Sequence, residues 1–330
     1  MVMKRKPTFI SLFAGCGGSS LGYRWAGYKE LLAIEWDDNA AETFKLNFPD
    51  IPIWKKDVRK VTGNEILDFC NIKKGELDLL DASPPCQGFS TAGKRQVTDP
   101  RNDLFKEFIR LIKELEPKVF VMENVSGLIK GKMKGRFIEI MKELKGLPYQ
   151  VKCKLMNAMY YNVPQSRARL IWIATRKDIS KEPSYPVLNE KFITVKVAFQ
   201  KVINEKWELD WVNHIRQSTI YPRICKMKPG ECYDKYSPNG SGFTLRRIKF
   251  NEPSSTISRT VNHSASSDGL LHPKENRKLT ISEIKALHSY PSEFKTQGDF
   301  RGQWAVIGNS VPPKFMKAIA TTIRQQVFDQ

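Results

Sequence analysis

The sequence has 330 residues, 41% of them hydrophobic, with 54 Lys and Arg against 35 Asp and Glu for a formal charge of +19. That length and apolar content suffice for one large core or two smaller ones, and charge mixed with 11% aromatics excludes a wholly disordered chain. No apolar run reaches the roughly 18–20 residues of a membrane span.

Charge is unevenly spread: residues 1–100 carry 14 basic and 13 acidic side chains, 101–200 carry 20 and 10, and 201–330 carry 20 and 12. A near-neutral opening before a basic remainder points to a polyanion partner, nucleic acid foremost. The six cysteines (16, 70, 86, 153, 225 and 232) contain no Cys-x-x-Cys pair, and the four histidines do not cluster with them. Neither a zinc site nor a disulfide framework is expected, and the chain reads as intracellular. The short apolar stretch after Met1-Val2-Met3-Lys4-Arg5-Lys6 reads as a first core strand rather than an export signal.

Residues 8–13 are that strand, ending in Ala14-Gly15-Cys16-Gly17-Gly18; helical spacing follows over 19–26 and a second strand over 30–36. A helix over 39–47 stops before Pro49. Residues 53–55 are a third strand, 64–70 a helix, and 77–82 a fourth strand running into Ser83-Pro84-Pro85-Cys86. Residues 103–115 form an amphipathic helix with Leu104, Phe105, Phe108, Leu111, Ile112 and Leu115 on one face. A fifth strand over 118–122 ends at Glu123-Asn124; a helix over 136–144 and strands over 151–155 and 170–175 complete the pattern. Such alternation predicts βαβ units and a mostly parallel α/β sheet, with its ligand outside the carboxyl ends of the strands. Gly15–Gly18, Glu35, Asp57, Pro85-Cys86 and Glu123-Asn124 all fall at those ends. Around residues 178–186 the pattern breaks, and the chain reads as irregular to about Pro273. Residues 280–288 are then helical, 308–313 a turn and 314–328 a closing helix. The domain organisation expected is 1–180, 181–275 and a C-terminal segment over 276–330 that returns to the first domain.

A strand, a Gly-rich turn and a helix let backbone approach a ligand closely. A dinucleotide fingerprint would place a third glycine at position 20, which is Ser20, so a nucleoside-like ligand without phosphates fits as well. Glu35 stands where a carboxylate accepts from ribose hydroxyls. Trp36 is a stacking candidate or a core residue, and Asp57 an acceptor for an exocyclic amine or a cap. Pro84-Pro85 would hold Cys86 in a defined direction just past a strand, as a thiolate nucleophile requires. Glu123 closes an otherwise apolar strand, where an unpaired carboxylate is costly; a raised pKa there would suit a general acid. Arg167 and Arg169 precede a strand and, by the two-residue alternation, share one face. They would bind a phosphate or a base oxygen and favour a thiolate.

The ordered blocks Phe13-Ala14-Gly15-Cys16-Gly17-Gly18, Pro84-Pro85-Cys86-Gln87, Glu123-Asn124-Val125, Gln165-Ser166-Arg167-Ala168-Arg169 and Gly308-Asn309-Ser310-Val311-Pro312 resemble those of DNA (cytosine-5) methyltransferases of the prokaryotic restriction-modification type. The resemblance implies a Rossmann-like domain that uses S-adenosylmethionine, releases S-adenosylhomocysteine and needs no metal, plus a smaller irregular target-recognition domain. It makes Cys86 the nucleophile at carbon 6 of a flipped cytosine in double-stranded DNA, with Glu123 at ring nitrogen 3 and Arg169, near Arg167, at the base oxygen. It implies cofactor contacts at Phe13, Gly15, Gly17, Glu35, Trp36, Asp57, Val58, Pro85, Leu104 and Asn309. DNA contacts are expected from Gln87, Ser90, Lys94, Arg95, Arg246, Arg247 and Arg259. Ser282, His288 and Tyr290 stand where relatives often carry Arg, Gln and Phe, which bears on packing. The expected setting is a cytoplasmic monomer, with a restriction endonuclease as a separately acting partner. The rivals are a tRNA cytosine-5 methyltransferase of the same fold, a non-catalytic DNA-binding relative and a nicotinamide dehydrogenase. The tRNA branch typically shows a Cys-Phe-Thr triplet, absent here; a degenerate binder would be expected to lack Cys86 or Glu123; Ser20 and the Pro-Pro-Cys turn disfavour the dehydrogenase.

Overall fold

Each β-favouring run in the first third is followed by a helix that carries the chain back, so the first five strands run parallel. The structure, a computed structural model, describes residues 5–85, 104–236, 245–261 and 269–329. In chain order the elements are β1 (Thr8–Leu12), α1 (Gly18–Trp25), β2 (Lys29–Glu35), α2 (Asp38–Asn47), β3 (Ile53–Lys55), α3 (Gly63–Cys70), β4 (Leu79–Ala82), α4 (Leu104–Leu115) and β5 (Val119–Val125). Then come α5 (Lys134–Lys145), β6 (Tyr149–Asn157) and β7 (Ala168–Arg176). The seven-stranded sheet has the order β3-β2-β1-β4-β5-β7-β6. β1 to β5 are parallel, as expected, whereas β7 runs antiparallel to both β5 and β6.

Local chemistry sets the helix starts. Asp37 caps α2 by accepting from Ala40 N at 2.9 Å, and Thr62 with Glu65 forms a reciprocal capping box on α3. α4 buries Phe105, Phe108, Ile109, Leu111, Ile112 and Leu115 against the sheet, each worth about 1.5–3 kcal/mol of burial. At the amino edge the buried Asp78 accepts from Arg5 (2.7 Å), Lys118 (2.7 Å) and Thr8 N (2.8 Å), which aligns the starts of β1, β4 and β5.

The chain divides into two compact units. The first comprises Met1–Asn157, Ala168–Val187 and Met316–Gln330; the second comprises Ala158–Arg167 and Leu188–Phe315. In the first unit the C-terminal segment packs on the start of β2. There Tyr28 OH donates to Ala320 O (3.1 Å) and Arg324 donates to Ala26 O (2.9 Å).

The second unit contains α6 (Val195–Phe199), α7 (Lys206–Asn213), α8 (Tyr221–Ile224), the two-residue strands β8 (Arg246–Arg247) and β9 (Leu270–Leu271), α9 (Ile281–Leu287) and α10 (Phe300–Asn309). α11 (Pro313–Ile323) carries the chain back to the first unit. Among the described residues, the region read as irregular thus holds three α-helices of four to eight residues, too short to show a hydrophobic period. α10 also runs through Gly308, where a turn was expected. A Cβ on Gly308 would lie 2.3 Å from Ser258 O, so the helix survives there because neighbouring backbone needs the space. Ile215, Ile220, Ile224, Met227, Tyr233, Leu245 and Leu271 form a small core.

β8 alternates in the ordinary way: Arg246 is exposed and Arg247 buried. Arg247 donates to Ile224 O (3.0 Å), His272 O (2.9 Å), Glu275 O (2.8 Å) and Asn276 Oδ1 (2.7 Å). The expectation of Arg247 as a DNA contact is therefore corrected: its guanidinium pins three segments of the second unit together. Arg247→Ala strands four acceptors, two of them in buried bonds, and is expected to cost about 2–4 kcal/mol in chemical denaturation, while Arg246→Ala changes stability by less than about 0.5 kcal/mol. Equal losses from both variants would contradict the pinning role.

Candidate active site

The turn after β1 is tightly wound: Phe13, Gly15 and Gly17 have φ of 57°, 57° and 92°. A non-glycine residue in that region costs of order 1 kcal/mol, tolerated where surrounding structure enforces it. Here Ala14 N donates to Ile34 O and Gly17 N to Ala14 O, both at 3.1 Å. The two glycines serve different ends. A Cβ on Gly17 would lie 2.2 Å from the Phe48 ring, whereas one on Gly15 would meet nothing within 4 Å. Gly17 is thus a packing requirement, and Gly15 leaves open space where backbone can touch a ligand.

Glu35 closes β2 beside this turn. Its Oε2 accepts from Gly15 N (2.7 Å) and its Oε1 from Trp36 N and Asp37 N (both 2.9 Å). Burial holds its pKa above the usual range, with the three backbone donors opposing. Trp36 is 64% exposed, which removes the core alternative and leaves its indole free to stack. Asp57 takes the capping alternative: it caps the turn Val58–Lys60 and pairs with Arg59, which keeps its pKa low. Val58 beside it is buried. Ser20 donates to the buried Glu30 at 2.8 Å, so position 20 faces the interior rather than a pyrophosphate. An open glycine, a buried carboxylate and an exposed indole suit a nucleoside cofactor.

Register carries this edge across the sheet: Leu12 lies opposite Ala82, and Ala82 opposite Met122. Past β4, Asn124 Nδ2 donates to Pro84 O (3.3 Å) while its Oδ1 accepts from Val125 N (2.7 Å), tying the proline turn to the end of β5. Because β7 is reversed, its first residues lie at this same rim. Arg169 sits opposite Val125, and its Nε reaches Glu123 Oε1 diagonally at 2.7 Å, with both side chains nearly buried. Burial pulls the Arg169 pKa down and Glu123 opposes it.

The pairing of Arg167 with Arg169 on one strand face is corrected. β7 begins at Ala168, and Arg167 belongs to the second unit. There it donates to Ile257 O (3.1 Å), Gly308 O (2.9 Å) and Ser310 O (3.1 Å), a positioning role for the segment that carries Asn309. Asn309 is the exposed last residue of α10; Arg246 and Arg259 are exposed in the same unit. His288 bridges Gln165 (3.0 Å) and Ser310 O (2.9 Å), an interior role consistent with a packing block. Pro85 and Leu104 are half-buried at the end of the proline turn and the start of α4. Cys86, Gln87, Ser90, Lys94 and Arg95 lie outside the described residues. Among those described, no three His, Cys, Asp or Glu side chains gather to hold a metal, and no helix is long and apolar enough to cross a membrane.

Sequence reasoning missed a buried polar layer between α1 and the sheet. Tyr23 OH donates to Asp81 Oδ1 at 3.0 Å, and Ser20 donates to Glu30 Oε1. Burial raises Asp81 to about 7, with the charge of Glu123 adding to it, and raises Glu30 to about 8. Glu30 Oε2 is buried and has no hydrogen-bond partner among the described residues. The signal was available for Asp81, which interrupts an apolar strand; Glu30, beside Lys29 at the start of β2, reads as a surface residue.

Residues 7–325 match the family profile of C-5 cytosine-specific DNA methylase. Type II methyltransferase M1.HphI of Haemophilus parahaemolyticus is 35% identical over 96% of this chain and 86% of its own. Type II methyltransferase M.XorII of Xanthomonas oryzae pv. oryzae is 34% identical over 96% and 84%. Among solved structures, a DNA modification methyltransferase encoded within an Escherichia coli prophage superposes with a TM-score of 0.77 at 24% identity, covering 97% of this chain and 99% of that one. That likeness establishes the shared fold.

The layer under α1 gives a pH signature. Carboxyls whose folded pKa lies above the unfolded value contribute stability below about pH 4 and lose it as pH rises through about 7 and about 8. The thermal midpoint of the wild type should therefore fall between pH 5 and 9, and Glu30→Gln should flatten that fall. Parallel pH curves for the two proteins would rule the assignment out.

Proposed function

The chain belongs to the C-5 cytosine-specific DNA methylases, enzymes that methylate carbon 5 of cytosine in DNA, and we propose that it acts on a cytosine turned out of a short specific duplex site by covalent addition of Cys86 at carbon 6. The observation that carries this reading is the Glu123–Arg169 pair at the strand rim. It is one strand from the proline turn that leads to Cys86 and two from the open glycine turn.

Carbon 5 of cytosine is a poor nucleophile. Addition of the Cys86 thiolate forms a carbon–sulfur bond at carbon 6 and moves the ring electron pair toward carbon 5. Glu123 at ring nitrogen 3 stabilises the charge this addition develops, by a proton or a strong hydrogen bond. Arg169 fixes the direction of Glu123 and donates to the base oxygen. S-adenosylmethionine, when bound, supplies an electrophilic methyl group and leaves as S-adenosylhomocysteine. Once carbon 5 is methylated, it loses its proton, the carbon–sulfur bond breaks with its electrons returning to sulfur, and Cys86 is restored.

Phe13, Gly15, Gly17, Glu35 and Trp36 would hold the cofactor's nucleoside, with Val58, Pro85, Leu104 and Asn309 completing the site. Asp57 would share its carboxylate between Arg59 and the cofactor. Gln87, Ser90, Lys94 and Arg95 would close over the flipped base, and Arg246 and Arg259 would contact DNA. The Type II names of the relatives are in keeping with a cognate endonuclease acting separately; the methyltransferase itself would act as a monomer in a prokaryotic cytoplasm.

The test is base-resolution 5-methylcytosine sequencing of DNA from a host without cytosine methylation. Wild type should mark one short motif and Cys86→Ala none, while the variant keeps S-adenosylmethionine binding by calorimetry. Joint loss of cofactor binding would make Cys86 structural. Glu35→Ala should weaken cofactor binding at least tenfold, and unchanged affinity would remove Glu35 from the site.

A further inference from the structure

We propose that Lys130 and Lys134, on the segment that leaves the catalytic end of β5, grip the phosphate backbone of duplex DNA from the first unit, independently of the recognition residues. The inference rests on the reading of the chain as a DNA methyltransferase and adds a contact that the motif blocks do not supply.

Between Glu123 and Glu139 the sequence holds four cations, Lys130, Lys132, Lys134 and Arg136, and no acid. A helical cation neutralised by its neighbours looks different: on α4, Arg110 bonds both Glu107 (2.9 Å) and Glu114 (3.0 Å). In the 130–136 run Arg136 is treated in the same way: it pairs with Glu139 at 2.6 Å and lies over the Phe105 ring. Lys130 and Lys134 are exposed, and no carboxylate among the described residues lies within ion-pair distance of either. A patch of one sign repels itself, a cost that a polyanion relieves.

Its mounting is rigid. Leu128 is fully buried, and Ile129, Met133 and Phe137 pack on the main core, so apolar side chains point in and Lys130 and Lys134 point out. Lys130 N donates to Gly127 O (3.0 Å) and Met133 N to Lys130 O (3.2 Å), fixing two short turns. A Cβ on Gly131 or Gly135 would meet nothing within 4 Å, so the backbone beside each lysine is open to close approach. Four residues separate this patch from the end of β5 at Val125. The segment is therefore set at the rim where Glu123 meets the base, and phosphates flanking that base are the anions nearest to hand.

The experiment compares the full-length wild type with Lys130→Ala/Lys134→Ala and with a charge-matched control, Lys73→Ala/Lys74→Ala, placed before β4 at the opposite edge of the sheet. Binding of a labelled duplex of arbitrary sequence is followed by anisotropy from 50 to 200 mM salt. Each lost phosphate contact lowers the slope of log affinity against log salt by about 0.9. The double variant should therefore lose about 12-fold less affinity over that fourfold salt range than the wild type does. Its thermal midpoint and its methylated motif should match wild type, and the control should keep the wild-type slope. An unchanged slope in Lys130→Ala/Lys134→Ala overturns the inference, as does an equal drop in the control or a loss confined to single-stranded RNA. A wild type that neither binds nor methylates duplex DNA overturns instead the function on which the inference rests.

Discussion

Glu123 and Arg169 meet across two strands that run in opposite directions, and the rest of the site depends on that reversal. A carboxylate at the end of a buried strand is expensive unless it is paired or protonated. Were β7 parallel to β5, its first residues would lie at the far edge of the sheet, about 26 Å away for a nine-residue strand. Reversal brings Arg169 to the carboxyl rim, where the guanidinium neutralises Glu123 and limits its freedom. The same rim carries the proline turn from β4, held by Asn124. The groups proposed to activate the base thus lie at the ends of β4, β5 and β7, and those proposed to hold the nucleoside at the ends of β1 and β2.

The nucleoside half depends on a different kind of bond. Its strained turn leads into α1, and α1 is fixed to the sheet by hydroxyl–carboxylate contacts as well as by apolar packing. Such a layer costs stability near neutral pH, because the folded state keeps protons on two buried carboxyls that the unfolded chain releases. What it supplies is direction. A hydrogen bond from Tyr23 to Asp81 admits one rotation of α1, where an apolar contact would admit several. Ser20 serves the same layer through Glu30, which is why the third glycine of a dinucleotide fingerprint is missing here.

Much of this was legible in the residues. Strand-helix alternation gives the parallel sheet because the period changes from two to 3.6 at each turn residue, and Glu35, Glu123 and the proline turn stand at strand ends for that reason. The reversal of β7 was not legible, since an apolar strand reads identically in either direction. Nor were the short helices of the second unit, or α10, whose Gly308 resembles a terminator until Ser258 is seen packed against it. Trp36 and Asp57 each admitted two readings from sequence: exposure removes the core reading of the Trp36 indole, and Asp57 acts as a cap paired with Arg59 whatever else it binds.

Arginine is where sequence reasoning fails most instructively. Arg167 and Arg247 look like DNA or base contacts because they sit beside Arg169 and Arg246. Both are buried and donate to backbone carbonyls of the second unit. The cause is the architecture of that unit. Short helices and a two-residue strand pair leave many buried carbonyls without ladder partners, and each must find a donor. Arginine offers five N–H groups on one plane and remains charged when desolvated, so a single side chain can satisfy three or four carbonyls from separate segments. Part of the basic excess after residue 200 is therefore internal scaffolding. It follows that net charge overstates the DNA-facing surface of the second unit, and that unpaired cations on well-ordered parts of the first unit count for more than their number suggests.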